Sequence, residues 1–210
     1  MSNSPVIAFL NKLTDLILLN ILWIICCLPV VTAGAATCAA YYVSITSIRC
    51  GDGYVFKRFF TAFKSCFLPV TPVWLGLLAA GFILSADLFF WYHFGGFIGK
   101  VMLLVSLAIA ILVWVWSLWI FPVFAKFSGT RRELLKNAAA FAVGYLPYTA
   151  IVLVIMGGVI YANLVSLIVN SIMLFVGFAL VMYVNSFFFY RVFMNHIDER
   201  YDDFDWPEEG

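Results

Sequence analysis

The stretches without a charged residue most constrain what this chain can fold into. Residues 16–48 and 137–190 contain no Asp, Glu, Lys or Arg, and each exceeds the roughly 20 apolar residues that a helix needs to cross a bilayer. The whole chain is 65% hydrophobic and 11% charged, whereas a soluble globular domain carries roughly 25% charge. The sequence therefore predicts an all-α integral membrane protein, a polytopic helix bundle.

We expect about five transmembrane helices, joined into one membrane domain over residues 1–195. The first stretch would give one span that continues as a helix to residue 48, and the second stretch is too long for one crossing and right for two. A hairpin of two short helices in residues 16–48 is disfavoured, because each half of about 15 residues would rise only ~22 Å. The expected spans cover about residues 16–36, 69–91, 101–125, 141–162 and 167–189.

The pattern of residues 55–67 predicts a basic, aromatic amphipathic helix between the first two spans. Five phenylalanines would share one face at about 100° per residue, while the basic side chains lie elsewhere around the helix. Such a helix suits the membrane interface, where it would anchor in lipid, dock against the bundle or present a surface to a partner. The phenylalanines are Phe56, Phe59, Phe60, Phe63 and Phe67, and the basic residues are Lys57, Arg58 and Lys64.

The positions of Lys and Arg predict the orientation in a bacterial cell membrane. With five spans, ten of the twelve basic residues fall on one side, and only Lys12 and Lys100 fall on the other. The positive-inside rule then places the N-terminus outside and the C-terminus in the cytoplasm. Seven of the eleven acidic residues follow residue 194, so residues 196–210 would form an acidic cytoplasmic tail.

A second basic connector follows the third span and carries Arg131 and Arg132. Thr130 and Glu133 match a capping box, in which the two side chains satisfy the first backbone N–H groups of a helix. We therefore expect a helix to begin at this point.

Pro29 and Gly34 interrupt the first apolar stretch. Pro29 removes one backbone hydrogen bond and should kink the helix, and Gly34 with the alanines after it forms a small surface that another helix can approach closely. One interpretation is a kink required by packing. The other is a broken helix that presents backbone groups to a ligand, as in some transporters.

Asp15 and Asp87 are the acidic residues closest to the predicted spans, and a carboxylate in lipid is costly unless it is paired or functional. With five spans both would lie at the outer ends of their helices, on the same side as Lys12, His93 and Lys100. Either these groups are solvated at the interface in local ion pairs, or they form an outward-facing polar pocket or a proton-coupled site.

Asn20 lies inside the first span, and Asn185 lies similarly in the fifth. A buried amide in hydrocarbon needs a hydrogen-bond partner. We therefore interpret these residues as links between helices, with ligand contact as the alternative.

The sequence carries no signature of an enzyme. It lacks GxSxG, HExxH and a phosphate-binding glycine loop, and we predict no catalytic residue, cofactor or metal. The five cysteines include no CxxC pair and are interpreted as small apolar side chains. Nucleic acid is not an expected partner, because the basic residues adjoin the membrane spans.

About the first 70 residues carry a family resemblance. The matching segments are Asn20 to Trp23, Leu28-Pro29-Val30-Val31-Thr32, Gly34-Ala35-Ala36, Tyr41-Tyr42, Gly53-Tyr54-Val55, Phe59-Phe60 and Phe63-Lys64. On these residues the chain resembles the YesL-like family, small bacterial membrane proteins of unknown function whose genes often lie beside those of carbohydrate uptake. The resemblance implies a link to sugar import and supplies no mechanism.

Three functions are compatible with the sequence. The leading hypothesis is a non-enzymatic accessory or regulatory protein that contacts a sugar-transporter subunit, or a second copy of itself, within the lipid bilayer. The alternatives are a small-molecule transporter or channel and a membrane sensor. Transport through five helices would require an oligomer, since so few helices leave little room for a pathway.

Overall fold

The all-α class expected from the sequence is confirmed. A computed structural model describes residues 5–50 and 54–194, and over these two ranges the chain is helical with no β-strand. Six helical segments within them are long and apolar enough to cross a membrane. The protein is therefore a helical-bundle membrane protein, with one more candidate span than expected. The predicted acidic tail lies outside the described residues.

The helices are numbered in chain order. They are α1 (Pro5–Cys27), α2 (Ala33–Cys50), α3 (Val55–Phe94), α4 (Gly96–Lys126), α5 (Arg131–Gly144), α6 (Leu146–Val165), α7 (Leu167–Ile172) and α8 (Phe178–Met194). A 3-10 turn, Val30–Thr32, precedes α2, and a π-turn, Met173–Gly177, joins α7 to α8. The break expected at residues 163–166 is confirmed, because α6 ends there and α7 begins.

The first charge-free stretch forms two helices, so the expectation of a single span was wrong. α1 has 23 residues and α2 has 18, which at ~1.5 Å per residue gives about 35 and 27 Å. Both helices extend beyond residues 16–48 into the polar flanks, and this makes the hairpin halves longer than the charge-free length suggested. Pro29 lies in the turn between them, and the hydroxyl of Thr32 donates to its carbonyl at 2.8 Å.

The predicted interfacial helix is also corrected, because residues 55–67 are the first turns of the 40-residue helix α3. Docking against the bundle, one of the expected alternatives, holds for part of the apolar face: Phe59 and Ala62 are fully buried, whereas Phe56 and Phe67 stay exposed. Periodicity identifies an apolar face but does not tell whether lipid or another helix covers it.

Two prolines lie inside α3 without ending it. Pro72 has no N–H to donate to the carbonyl of Leu68, four residues earlier. The guanidinium of Arg131 donates to this oxygen instead, at 3.3 Å. Contact with α5 thus satisfies a carbonyl that the helix itself leaves unpaired, and it ties the second basic connector to α3.

An amphipathic helix outside the candidate membrane spans does occur, but it is α5 and not residues 55–67. Its predicted capping box is confirmed, since the backbone N–H of Thr130 donates to Glu133 Oε2 at 3.0 Å. The hydrogen bonds from Thr130 hold the pKa of the exposed Glu133 carboxyl below its usual value. Leu134, Ala138 and Ala142 form the buried face of this helix.

The bundle has two parts of unlike packing. The base comprises α1, α2, α5, α6 and α8, with α3 up to residue 74 and α4 from residue 116, and it contains nearly all of the core. The arm comprises residues 75–94 and 96–115, the antiparallel outer parts of α3 and α4. In the described arm only Gly99 and Ser106 are buried, and both are covered by the facing helix of the arm itself.

Gly34 is where the base is tightest. A Cβ atom placed on it would lie 2.5 Å from Cβ of Trp74 on α3, so the first turn of α2 can approach α3 only as glycine. The indole of Trp74 also donates to the carbonyl of Val30 in the α1–α2 turn, at 2.7 Å. This close approach fixes the turn against α3.

Candidate functional site

A cavity of about 630 Å³ lies between α1, α2, α4, α6, α7 and α8. α2, α4, α6 and α8 contribute side chains spaced three or four residues apart, as expected when one face of a helix is turned toward a common space, and α1 and α7 contribute one residue each. The lining residues are Trp23, Thr37, Tyr41, Ser117, Leu118, Phe121, Met156, Val159, Ile160, Asn163, Leu164, Asn170, Phe178, Val181 and Met182. None of these described residues is charged.

Most polar side chains of the cavity wall already form hydrogen bonds. The indole of Trp23 donates to the Thr37 hydroxyl at 3.2 Å, which in turn donates to the carbonyl of Ala33. Ser117 donates to the carbonyl of Trp114 at 2.7 Å, and the amide nitrogen of Asn163 donates to that of Val159 at 2.9 Å. The wall therefore offers mainly apolar and aromatic surface to an occupant.

Buried polar atoms lie behind this wall. Asn185 is fully buried, and its amide nitrogen donates to the sulfur of Met156 at 3.7 Å. Within the described residues, the amide oxygen of Asn185 and the hydroxyls of Ser44 and Ser186 accept or donate no hydrogen bond. Such groups are costly in an apolar interior, and Asn185 places one of them beside Met156 of the cavity wall.

Asn20, a predicted polar site, bridges α1 and the π-turn. Its amide nitrogen donates to the carbonyl of Leu174 at 2.7 Å, and its amide oxygen accepts from the N–H of Ala179 at 3.0 Å. Leu174 and Ala179 are five residues apart, the spacing of a π-helical hydrogen bond. The amide of Asn20 thus occupies the place of one backbone hydrogen bond, and it joins two helices.

The predicted outer cluster does not form. Asp87 lies in the arm, where its carboxylate accepts from the indole of Trp91 at 3.0 Å and from the hydroxyl of Ser106. Lys100 is exposed near the α3–α4 turn. Lys12, which precedes Asp15 by three residues on α1, instead donates to Ser47 near the end of α2 at 2.7 Å. The cluster required α1 to begin on the same side as the arm, and the turn at Pro29 reverses that direction.

Lys12 also lies over the ring of Tyr183 on α8, 4.3 Å from its centre. A cation over an aromatic face is stabilised by the ring quadrupole, more strongly where water is excluded. Asp15, one turn away, is half-buried. These contacts explain how α1 extends through two charged residues without ending.

The predicted interfacial basic residues lie at the base. Lys57, Lys64 and Arg132 are exposed, and Arg58 is half-buried. Arg131 is exposed as well, but its guanidinium is the donor to α3. These side chains form a basic surface at the end of the bundle opposite the α3–α4 turn, because they lie near the start of α3 and of α5.

The structure adds one close pair that the sequence did not single out. The sulfur atoms of Cys38 on α2 and Cys66 on α3 lie 2.7 Å apart in the core. Among the described residues, no three His, Cys, Asp or Glu side chains come together in a way that could hold a metal ion.

One comparison with known proteins gives a match. The family described as "Protein of unknown function, DUF624" matches residues 16–88, about a third of the chain, which covers about half of α1, all of α2 and most of α3. No curated protein and no solved structure matches. The matched region contains Gly34 and Trp74 as well as the α1 and α2 walls of the cavity, but not its α4, α6, α7 or α8 walls.

Proposed function

We propose that this protein crosses a bacterial cell membrane six times with both termini in the cytoplasm. Six crossings place Lys12 on the same side as the two basic connectors and the residues after α8. Eleven of the twelve Lys and Arg residues then lie on one side, and only Lys100 lies on the other. This distribution fits the positive-inside rule better than five crossings did. It replaces the N-out orientation expected from the sequence.

A reporter that is active only in the cytoplasm tests this orientation. Fused to the N-terminus, it should give a signal as strong as the same reporter fused to the C-terminus. An inactive N-terminal fusion beside an active C-terminal fusion would restore an odd number of crossings.

For the molecular role, we propose a non-enzymatic accessory or regulatory protein that acts by contacting another membrane protein. The arm carries this proposal. Its two helices extend about 30 Å at ~1.5 Å per residue with apolar side chains that no other described helix covers, such as Phe82 at 76% and Ile83 at 65% exposure. Such a surface is covered equally well by lipid tails and by the apolar helices of a partner, because hydrophobicity alone favours neither.

The cavity supports transport less well than this role. Its described wall has no charge, and most of its polar side chains bond within their own helices or to one another. An ion or sugar that left water here would lose hydration without gaining equivalent hydrogen bonds. The cavity instead favours the membrane sensor as the second candidate function.

The family match is consistent with the YesL-like resemblance, since residues 16–88 contain the motifs on which that resemblance rests. We carry over from it one proposal, a partner involved in carbohydrate uptake. Its support is the resemblance alone.

Site-specific photo-crosslinking in native membranes tests the accessory role. A photoreactive amino acid at Phe82 or Ile83 should capture a transporter subunit, or a second copy of the chain, as a discrete adduct. The matched control is Val154 on α6, which is 74% exposed but lies outside the arm. Equal adducts from the arm and from position 154, or adducts with lipid only, would contradict the proposal.

A further inference from the structure

We propose that the cavity binds one hydrocarbon chain of a membrane lipid whose headgroup is uncharged. This inference does not depend on the accessory role, which rests on the arm. It follows from the chemistry of the wall, the side on which the cavity opens and the position of two amides.

The size and lining of the cavity fit a chain-like apolar ligand. Its volume of about 630 Å³ lies within the ~300–1,000 Å³ typical of small-molecule sites, which are mainly apolar with a few polar groups that fix orientation. Trp23, Phe121 and Phe178 supply aromatic surface. Met156 and Met182 add flexible thioethers, which adapt to an occupant of irregular shape.

The cavity opens toward lipid. Three of its large apolar lining residues are also exposed on the outside of the bundle, namely Leu164 at 82%, Ile160 at 52% and Phe178 at 39%. All three belong to segments that are long and apolar enough to span a membrane. The gap between α6 and α8 is thus bordered by hydrocarbon side chains, and an acyl chain can enter it sideways without passing through water.

Two amides mark the end where the headgroup lies. Asn163 and Asn170 flank the α6–α7 turn at Ser166, where two candidate spans end. Amides donate and accept hydrogen bonds without charge, so they suit a hydroxyl, ester or amide headgroup. A phosphate would be expected to draw Lys or Arg, and the described wall contains neither.

Two methionine side chains, Met156 and Met182, line the cavity away from the amides. Met156 is held by Asn185, whose amide nitrogen donates to its sulfur. From Asn163 to Met156 α6 advances seven residues, and from Asn170 to Met182 the last segment advances 12, or about 10 and 18 Å at ~1.5 Å per residue. These lengths accommodate a stretch of hydrocarbon chain with its head at the amides and its tail toward the methionines.

Photolabelling of the full-length protein in vesicles tests the proposal. The probe is hexadecanol with a diazirine in mid-chain, and labelled positions are located by peptide mass spectrometry. We expect saturable labelling of α6 and α8 at the cavity, which unlabelled hexadecanol competes away. Label that never saturates, or that is as strong on the arm and the outer face of α6 as at the cavity, would overturn the proposal.

Filling the cavity supplies the matched comparison. Val181→Trp places an indole inside it, whereas Val154→Trp adds the same group to the outer face of α6. Val181→Trp should reduce saturable labelling about tenfold, which corresponds to ~1.4 kcal/mol of binding, and Val154→Trp should leave it unchanged. Equal labelling of both variants would overturn the proposal.

A second readout remains decisive even if the tryptophan variant does not fold. In the wild type, hexadecanol should compete better than hexadecane or hexadecyl phosphate, and Asn163→Leu should remove the advantage over hexadecane. A stronger effect of the phosphate would overturn the assignment of an uncharged head. Failure of the arm to crosslink a partner would leave all of these results standing.

Discussion

α2 lies at the centre of the base, whereas the first two thirds of α4 lie in the arm, and the two helices differ sharply in burial. In the most apolar stretch of α2, 56% of the residues are buried, against 6% in α4. Yet α4 is the more apolar helix of the two. Apolar character therefore does not decide which helix of this protein is covered by other helices.

The difference teaches what holds a membrane bundle together. Lipid tails are as apolar as leucine, so an apolar side chain gains little by exchanging lipid for protein. α2 has Gly34 and buried alanines that allow close approach, whereas the outer half of α4 is rich in large aliphatic residues. Small side chains and buried hydrogen bonds, not hydrophobicity, build the base.

The largest effect expected from this comparison is a substitution of Gly34. Gly34→Ala would place a methyl group 2.5 Å from Cβ of Trp74, so α2 and α3 must separate, at a cost of about 3 kcal/mol for overpacking. Unfolding by a denaturing detergent measures this loss. Gly81→Ala is the matched control in the arm, because nothing lies within 4 Å of its Cβ position. Equal losses from the two variants would abolish the distinction between base and arm.

A smaller loss is expected from Asn20→Leu, which keeps the shape of the side chain and removes two hydrogen bonds to the π-turn. Hydrogen bonds between membrane helices contribute roughly 0.6–2 kcal/mol, so the loss should be about 1–2 kcal/mol by the same unfolding assay. Asp87→Leu is the corresponding change in the arm, and it should cost less than half as much. If Asn20→Leu is neutral, the π-turn closes into an α-helix without help from α1.

The hydrogen bond from Arg131 on α5 to the carbonyl of Leu68 holds α5 against the part of α3 that belongs to the base. Arg131→Met should cost ~1 kcal/mol, the net value of one hydrogen bond, since it leaves the carbonyl of Leu68 unpaired beside Pro72. In a Pro72→Ala background the helix supplies its own donor, and the same substitution should have almost no effect. Arg132→Met controls for loss of charge. Identical losses in both backgrounds would show that Arg131 acts in some other way.

The smallest effect concerns the start of α5 and depends on pH. The folded pKa of Glu133 is lowered, so its stabilisation of the first turn is present above the unfolded pKa and is lost as pH falls through the folded value. Hydrogen exchange of the first α5 amides, corrected for intrinsic rates, should therefore show protection that is constant above pH 4.5 and declines below it.

Glu133→Gln should remove this pH dependence. α4 begins at Gly96, and Gly95 before it provides no side-chain cap, so the first amides of α4 should show no change in the same window. A decline at both helix starts would point to general acid unfolding of the bundle.

The sequence predicted helices best where charges bracket them. Lys100 and Lys126 enclose the third expected span, and α4 follows them closely. The first stretch was misjudged because Lys12 and Asp15 were taken as the limit of the apolar helix. In the structure Lys12 finds Ser47 and Tyr183 as partners, and such long-range contacts leave no trace in local composition.

The candidate site was predictable only in part. Asn20 was identified because an amide within an apolar run needs a partner, but its partners lie more than 150 residues away in the chain. The cavity is lined mainly by ordinary apolar residues such as Met156 and Phe178. These residues recur at the spacing found in any apolar helix, so the sequence does not show whether they line a cavity or face lipid.

The shortness of three connections has a practical consequence. With the proposed orientation, the α1–α2, α3–α4 and α6–α7 connections face the outer side, and together they comprise residues 28–32, Gly95 and Ser166, seven residues in all. An antibody or a protease added to intact cells would find almost no loop to bind or cut. Signals that reach this protein from outside would therefore have to travel within the plane of the membrane, carried by a lipid or by a neighbouring protein.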